Sequence, residues 1–377
     1  MKREMKKTIL FLVNHDITVY YFRLELVKRL REEGHRVVIS TPFGDHIDVL
    51  RNLGCECVPI EVDRRGMNPI KDMKLMLEYW KLIRRIKPDM VLTYTIKPNV
   101  YGGMVCGWMG VPHIANVTGL GSAVENGGIK KKIVLLLYKM GVRKSQTVFF
   151  QNSYNMEFML NHGVSGKSAG LLPGSGVNLE KHCFETYPVD DGRGQYVFVI
   201  IGRLMRDKGT DEVLYAARQI KKEYPNVTFR FLGFYDGDYE EKIKAAVAEG
   251  IVEHLGQVQD VHQHIKESHA TIHASYHEGM ANVLLESAAC GRPVIATDIP
   301  GCRETFDKGI SGLSFAPQNG DSLVKAIQQF INMPYEQKTL MGMMGRQKME
   351  REFDRSVVVE KYMQELNLEK KVEHEAI

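Results

Sequence analysis

The chain has 377 residues, 44% of them hydrophobic and 25% charged, with a formal net charge of +4. That length exceeds what a single hydrophobic core usually serves, so two domains of roughly 150 to 190 residues are expected. The composition excludes disordered, collagen-like and fibrous classes, and the small net charge argues against nucleic acid as a partner.

Basic residues do cluster locally, at Lys2 to Lys7, at Arg84–Arg85–Lys87 and at Lys130–Lys131–Lys132, all in the N-terminal half. Six cysteines, Cys55, Cys57, Cys106, Cys183, Cys290 and Cys302, form no CxxC pair and no metal-ligand spacing. Reduced thiols in a cytoplasm are the expectation. The N-terminus has the charge of a signal peptide, but its apolar run Ile9–Val13 is too short for one and leads directly into Asn14–His15–Asp16. No stretch reaches the roughly 18 apolar residues of a membrane span, so the chain is not expected to cross a membrane.

Thr8–Val13 reads as a strand, followed by a helix with Phe22, Leu26 and Leu30 at helical spacing, a stop at Gly34 and a second strand, Val37–Ser40. The alternation continues with a strand at Val58–Ile60, a helix near Ile70–Lys87, the strand Met90–Thr93, a helix near Tyr101–Met109 and the strand His113–Asn116. A basic helix, Ile129–Arg143, and the strand Thr147–Gln151 follow. Beyond Leu172–Pro173–Gly174, a second alternation opens with the apolar run Tyr196–Ile201 and proceeds through strands at 227–232, 252–256, 270–274 and 293–297. Between these lie helices at 210–223, 239–249, 260–267, 282–290 and 321–332. Strands alternating with helices predict parallel sheets. The expected fold class is α/β, with two Rossmann-like doubly wound domains at 1–174 and 175–352, facing across a cleft, and a C-terminal helix at 353–377 returning to the first domain. In such sheets ligands bind beyond the carboxyl ends of the strands.

The loop Gly202–Arg203–Leu204–Met205–Arg206–Asp207–Lys208–Gly209 ends the first strand of the second half, with Thr210 as the expected N-cap of the next helix. It suits a pyrophosphate: Arg203 can hold two oxygens at once, Lys208 supplies a point charge, and the helix start adds partial positive charge. The same residues also fit an ordinary solvated loop. In His277–Glu278–Gly279–Met280–Ala281–Asn282–Val283–Leu284–Leu285–Glu286 two glutamates stand eight apart. Gly279 permits close backbone approach, the amides of Met280, Ala281, Asn282 and Val283 form an anion-binding helix start, and Glu286 can accept ribose hydroxyls. A glutamate near a helix start also simply complements the dipole. In the first half, Asn14, His15 and Asp16 follow the first strand, where a ligand would bind, and Lys97 is a loop cation that could meet a phosphate; a plain polar turn and a solvated lysine fit equally.

These motifs, with Gly291–Arg292–Pro293–Val294–Ile295–Ala296–Thr297 and Pro300–Gly301–Cys302–Arg303–Glu304 downstream, resemble those of the retaining glycosyltransferases of family 4, which have the GT-B fold. Lys97–Pro98–Asn99–Val100–Tyr101–Gly102 and Asn116–Val117–Thr118–Gly119–Leu120–Gly121 resemble the subgroup that assembles bacterial surface glycans on a polyprenyl diphosphate carrier. The resemblance implies that Gly202, Arg203 and Lys208 meet the diphosphate of a UDP-sugar, that Glu286 binds the ribose, that Glu278 and residues 279–283 hold the sugar, and that Gln257 and Val258 meet the base. Arg203, Lys208 and Glu278 are the implied catalytic residues. On the acceptor side the resemblance points to Asn14, His15, Asp16, Lys97, Thr118 and Gly119, with one departure: Thr118 stands where many members carry a histidine.

The implied chemistry is retention without a protein nucleophile and without a metal, because positive charge from Arg203, Lys208 and helix amides serves the leaving diphosphate. The acceptor implied is a polyprenyl-diphosphate-linked saccharide. The segment Gly128–Lys139, basic and apolar, fits an interfacial helix on anionic lipid at the inner face of the cytoplasmic membrane, though an ordinary core helix with a charged flank has the same pattern. A nucleotide-sugar 2-epimerase of the same fold and a non-catalytic partner subunit are the alternatives. A dehydrogenase is disfavoured, since no G-x-G-x-x-G follows the first strand of either half.

Overall fold

The computed structural model describes residues 6–63, 66, 68–121, 124, 127–189 and 194–367. The chain divides into two compact units: one runs to Ser175 and resumes at Ser356, and the other is Gly176–Arg355.

The first unit has strands β1 (Thr8–Leu12), β2 (Arg36–Thr41), β3 (Glu56–Pro59), β4 (Met90–Tyr94), β5 (His113–Val117), β6 (Thr147–Phe150) and β7 (Ser168–Leu171). They form one sheet in the order β3-β2-β1-β4-β5-β6-β7, with every pairing parallel. Its helices are α1 (Asp16–Phe22), α2 (Leu24–Glu32), α3 (Ile47–Asn52), α4 (Pro69–Ile86), α5 (Gly103–Met109), α6 (Gly128–Val142) and α7 (Ser153–Asn161). The apolar run of β1 is buried on both faces, as a central parallel strand must be. Ile9 and Phe11 join the core under α2, while Leu10 and Leu12 join the core under α4 and α5.

Local signals account for α4. Asn68 accepts hydrogen bonds from the amides of Ile70 and Lys71, Pro69 occupies the first turn, Arg84 and Arg85 complement the last, and Lys87 closes it at φ 52° just before Pro88. The packing of α6 against α5 and the turn that precedes it requires glycine on both sides. A Cβ at Gly103 would lie 2.3 Å from the Gly141 carbonyl oxygen, and one at Gly141 would lie 2.6 Å from that of Asn99.

The second unit has strands β8 (Tyr196–Ile201), β9 (Val227–Leu232), β10 (Glu253–His254), β11 (Ala270–His273), β12 (Val294–Thr297) and β13 (Gly312–Phe315), in the parallel order β10-β9-β8-β11-β12-β13. Its helices are α8 (Thr210–Glu223), α9 (Tyr239–Ala248), α10 (His262–Glu267), α11 (Asn282–Ala289), α12 (Gly320–Ile331) and α13 (Tyr335–Lys348). The order reverses between β8 and β11, and that switch point is where a doubly wound sheet opens to ligands.

The last helix, α14 (Arg355–Asn367), belongs almost wholly to the first unit. Val358, Val359, Tyr362, Met363 and Leu366 pack into the core containing Phe11, Tyr94 and Phe149. Burying each of Val358, Val359, Met363 and Leu366 is worth about 1.5–3 kcal/mol. The Tyr362 hydroxyl donates to Asn116 Oδ1, whose amide nitrogen donates to the Thr93 carbonyl at 2.9 Å.

Three expectations are corrected. The first helix is broken at Arg23, whose buried guanidinium donates to the Phe22 carbonyl at 2.6 Å and lies over the rings of Tyr94 and Tyr362. The strand placed at Val58–Ile60 is instead Glu56–Pro59. Thr210 is not the N-cap of α8: Gly209, at φ 68°, takes that place, and the Thr210 hydroxyl donates back to the Met205 carbonyl at 2.9 Å.

Candidate active site

In the second unit, glycines at three neighbouring strand ends bring the backbone together. Gly202 follows β8 and Gly233 follows β9, at φ 147° and 145°, conformations that an L side chain rarely adopts. A Cβ at Gly233 would stand 1.8 Å from the Gly202 carbonyl oxygen. The Gly233 amide donates to the Gly256 carbonyl at 2.8 Å, which sets Gln257 and Val258, just beyond β10, beside this edge. Gln257 is exposed and Val258 half-buried.

The loop after β8 then turns through a short 3₁₀ segment, Arg206–Lys208, to Gly209. A Cβ at Gly209 would lie 2.2 Å from the Ala274 carbonyl oxygen, so glycine alone allows the loop to press against the end of β11. The Tyr276 amide donates to the Asp207 carbonyl at 2.9 Å and fastens the two loops. Lys208 consequently reaches Glu278, with Nζ 2.5 Å from Oε1, and the His273 ring Nε2 lies 2.9 Å from the same oxygen. Burial by itself would raise the Glu278 carboxyl, but the Lys208 charge and the His273 hydrogen bond outweigh it and hold the group at about 2. It is a fixed carboxylate at every physiological pH.

Arg203 donates to Asp236 at 2.9 Å and is 42% exposed, so its fork remains accessible to a ligand. The Glu278 loop is braced from below. The Ala281 amide donates to the Gly301 carbonyl at 2.8 Å, and a Cβ at Gly301, φ 85°, would lie 2.8 Å from the Glu278 carbonyl oxygen. The amide of Ala281 is thereby committed inward, which removes it from the expected anion-binding set. Met280 is also turned inward, packing with Val177, Leu285, Met349 and Phe353. α11 has no side-chain cap, and Asn282 Oδ1 is buried without a hydrogen-bond partner. Gly279 is buried and Val283 half-buried at that helix start.

Glu286 lies on the second turn of α11, with His182 Nε2 3.9 Å from Oε1. Burial raises its carboxyl to about 7, with Lys181 and Arg355 pulling the other way. The two glutamates thus differ in state: Glu278 is a permanent anion in an ion pair, and Glu286 titrates near neutrality. Sequence reasoning missed His273, Asp236 and His182. His273 was open to detection as a titratable residue ending an otherwise buried strand, whereas Asp236 and His182 lie in loops whose course only the fold fixes.

In the first unit the candidates disperse. Asp16 is fully buried, and its carboxylate accepts from the amides of Ile17 and His46, each at 2.9 Å. Its oxygens pin the loop at 44–46, so it is a structural residue and not the free acceptor contact expected from the sequence. His15 caps α1 through Nδ1 at 3.3 Å from the Ile17 amide, and Asn14 beside it is half-buried. Lys97 is likewise engaged, 2.6 Å from Asp72 Oδ1, while the Tyr101 hydroxyl donates to the other oxygen at 2.8 Å. Asp72 and Lys71 line a cavity of about 520 Å³ together with Pro42, Asp63, Lys74 and Glu78. Thr118 and Gly119 follow β5, half-buried. His113, at the opposite end of β5, is a core residue: its Nε2 lies 2.9 Å from Ser145 Oγ, and burial lowers it to about 4.

Two parallel Rossmann-like sheets, the second with a cationic loop and a glutamate-bearing helix at its switch point, define a protein of the GT-B fold class. Residues 8–152 match the Glycosyl transferase 4-like domain and residues 189–348 match the Glycosyl transferases group 1 domain. The chain belongs to this glycosyltransferase family. It is 24% identical over 369 residues to the N,N'-diacetylbacillosaminyl-diphospho-undecaprenol alpha-1,3-N-acetylgalactosaminyltransferase of Campylobacter jejuni, covering 94% of this chain and 96% of that one. It is 25% identical over 282 residues to the UDP-Gal:alpha-D-GlcNAc-diphosphoundecaprenol alpha-1,3-galactosyltransferase of Escherichia coli, covering 70% and 71%. Among solved structures, HepE of Anabaena in complex with UDP and glucose superposes with a TM-score of 0.77 at 16% identity, covering 96% of this chain and 99% of that one. Likeness at that identity establishes the fold.

Proposed function

We propose that this glycosyltransferase moves a hexose or N-acetylhexosamine from a UDP-sugar, with retention of configuration, to a saccharide carried on polyprenyl diphosphate in the assembly of a bacterial surface or glycoprotein glycan. The observation that carries the donor assignment is the convergence of Arg203, Lys208 and the uncapped start of α11 on adjacent strand ends. Relatives whose names specify diphospho-undecaprenol acceptors support the acceptor class, and the UDP-Gal donor in the name of the Escherichia coli relative supports the base.

In this reading Lys208 and Arg203 stabilise the diphosphate as it leaves, where low dielectric makes fixed charge most effective. Glu278 orients Lys208 and lies beside the donor sugar, Gly202 allows close approach of the phosphates, and Glu286 accepts the ribose hydroxyls. The departing phosphate oxygen takes the acceptor proton on the face it has just left, so no protein nucleophile is needed and no metal is required. Gln257 and Val258 flank the base. Asn14, His15, Lys97, Thr118 and Gly119 serve the acceptor, Lys97 exchanging Asp72 for a diphosphate oxygen. The basic helix α6 makes a peripheral contact with anionic lipid on the cytoplasmic side; among the described residues no helix is long and apolar enough to cross a membrane.

Calorimetric titration with a panel of UDP- and GDP-sugars in EDTA tests the reading, with Glu286→Ala as control. Binding of one UDP-sugar that the variant abolishes is expected. Binding of no nucleotide sugar would sink the donor assignment and favour a non-catalytic partner. Conversion of a nucleotide sugar without an acceptor, at unchanged mass, would favour an epimerase.

A further inference from the structure

The first unit carries a second unusual surface beside α6. Helices α4, α5 and α6 form one layer on the same sheet face, with α5 packed between the other two. An amphipathic helix in such a layer should show water its polar side. Here the outward side of α4 presents Ile70, Met73, Leu77 and Trp80 at spacings of three, four and three, all exposed, while Leu75, Tyr79, Leu82 and Ile83 are buried on the other. The outward side of α6 repeats the pattern with Ile129, Ile133, Leu136 and Met140. Between them α5 exposes Trp108, at 66%.

Both tryptophans of the chain therefore lie exposed on this one layer. The charge around the apolar stripes has one dominant sign. α6 carries Lys130, Lys131, Lys132 and Lys139 and no acidic residue, followed at once by Arg143 and Lys144. α4 carries Lys71, Lys74, Lys81, Arg84 and Arg85; Lys71 is paired with Asp63 at 3.3 Å and Lys74 lies 3.8 Å from Glu61 and 3.9 Å from Glu78, so the positive charge of this helix is concentrated at Lys81, Arg84 and Arg85, beside Trp80. The Arg84 guanidinium lies over the Trp80 ring at 5.2 Å, an apolar plate beneath a cation. Exposed apolar stripes on this scale mark a contact surface. Long basic side chains flanking tryptophan and aliphatic residues match the depth profile of an anionic bilayer interface, where stems and rings enter the acyl boundary and charges stay among the headgroups.

We infer that α4, α5 and α6 together form a three-helix face that seats the first domain on an anionic bilayer, with Trp80 and Trp108 immersed at the interface. This deepens the peripheral contact proposed for α6 and rests on it. Three parallel anchors fix the domain's orientation, where one helix would leave it free to roll about its own axis.

Because the two tryptophans are on the face, their fluorescence reads the contact directly in the full-length protein. Vesicles containing phosphatidylglycerol are expected to shift the emission to the blue, and brominated lipids to quench it, with phosphatidylcholine alone giving little effect. Leu77→Glu and Trp108→Glu, each checked for fold by circular dichroism, are each expected to weaken vesicle partitioning about tenfold. Co-sedimentation with no spectral change would overturn the three-helix face while leaving the α6 contact standing. No co-sedimentation at all would overturn both. A stable dimer in the absence of lipid, abolished by Leu77→Glu, would overturn the inference by assigning the face to a second copy of the chain.

Discussion

Lys208→Met is the perturbation whose effect follows most directly from the geometry. It removes the cation 2.5 Å from Glu278 and leaves that carboxylate, with only 14% of its side chain exposed, beside His273. Linkage converts the lowering of Glu278 from 4.5 to about 2 into about 3 kcal/mol of folded-state stabilisation. His273 carries part of it, so the substitution is expected to cost about 2 kcal/mol near neutral pH. The sign of the pH dependence is fixed. A lowered carboxyl contributes stability that is complete above 4.5 and is lost as pH falls through the interval down to about 2. The gap between wild type and variant should therefore narrow across that interval. In turnover, loss of charge at the leaving diphosphate is expected to lower kcat about a hundred- to a thousandfold. Urea unfolding as a function of pH measures the first effect, and transfer of a radiolabelled sugar measures the second. A kcat within about threefold of wild type would refute the leaving-group role, and a stability gap independent of pH would refute the ion pair as its cause.

Glu286→Gln should act in the opposite sense on stability. A raised carboxyl destabilises the fold as pH climbs from 4.5 toward 7, so the variant is expected to be more stable by about 2 kcal/mol above neutrality, read as a higher Tm, while UDP binding weakens by about tenfold. Gly233→Ala forces a Cβ against the Gly202 carbonyl and is expected to cost at least about 3 kcal/mol and to abolish donor binding; soluble expression with unchanged titration would contradict the account of the strand ends. Transfer is expected to survive EDTA; complete loss restored by Mn²⁺ would show that a metal shares the diphosphate charge with Arg203 and Lys208. Replacing Lys130, Lys131 and Lys132 together with glutamate should reduce co-sedimentation with anionic vesicles, and unchanged binding would remove α6 from the contact.

The two-domain α/β architecture was legible in the sequence because its strands are apolar runs with punctuated helices between them, as at Thr8–Val13 and Tyr196–Ile201. Elements with weak signals escaped: β7, whose Ser-Ala-Gly-Leu is a largely exposed edge, and β13, four residues in a loop-rich stretch. The cationic loop and the two glutamates were legible because residues that bind phosphate and ribose need particular chemical types at strand and helix ends. Their states were not legible. That Glu278 is locked to Lys208 and His273, that Glu286 is pushed toward neutrality, and that Asp16 and Lys97 are engaged within their own domain follow from residues far away in the chain, as Lys208 is from Glu278 and His182 from Glu286. Periodicity records which way a side chain faces relative to its own element. Only the packing of one element on another decides its partners, its burial and hence its charge, and it is that packing which left one side of α4 and α6 apolar and facing water.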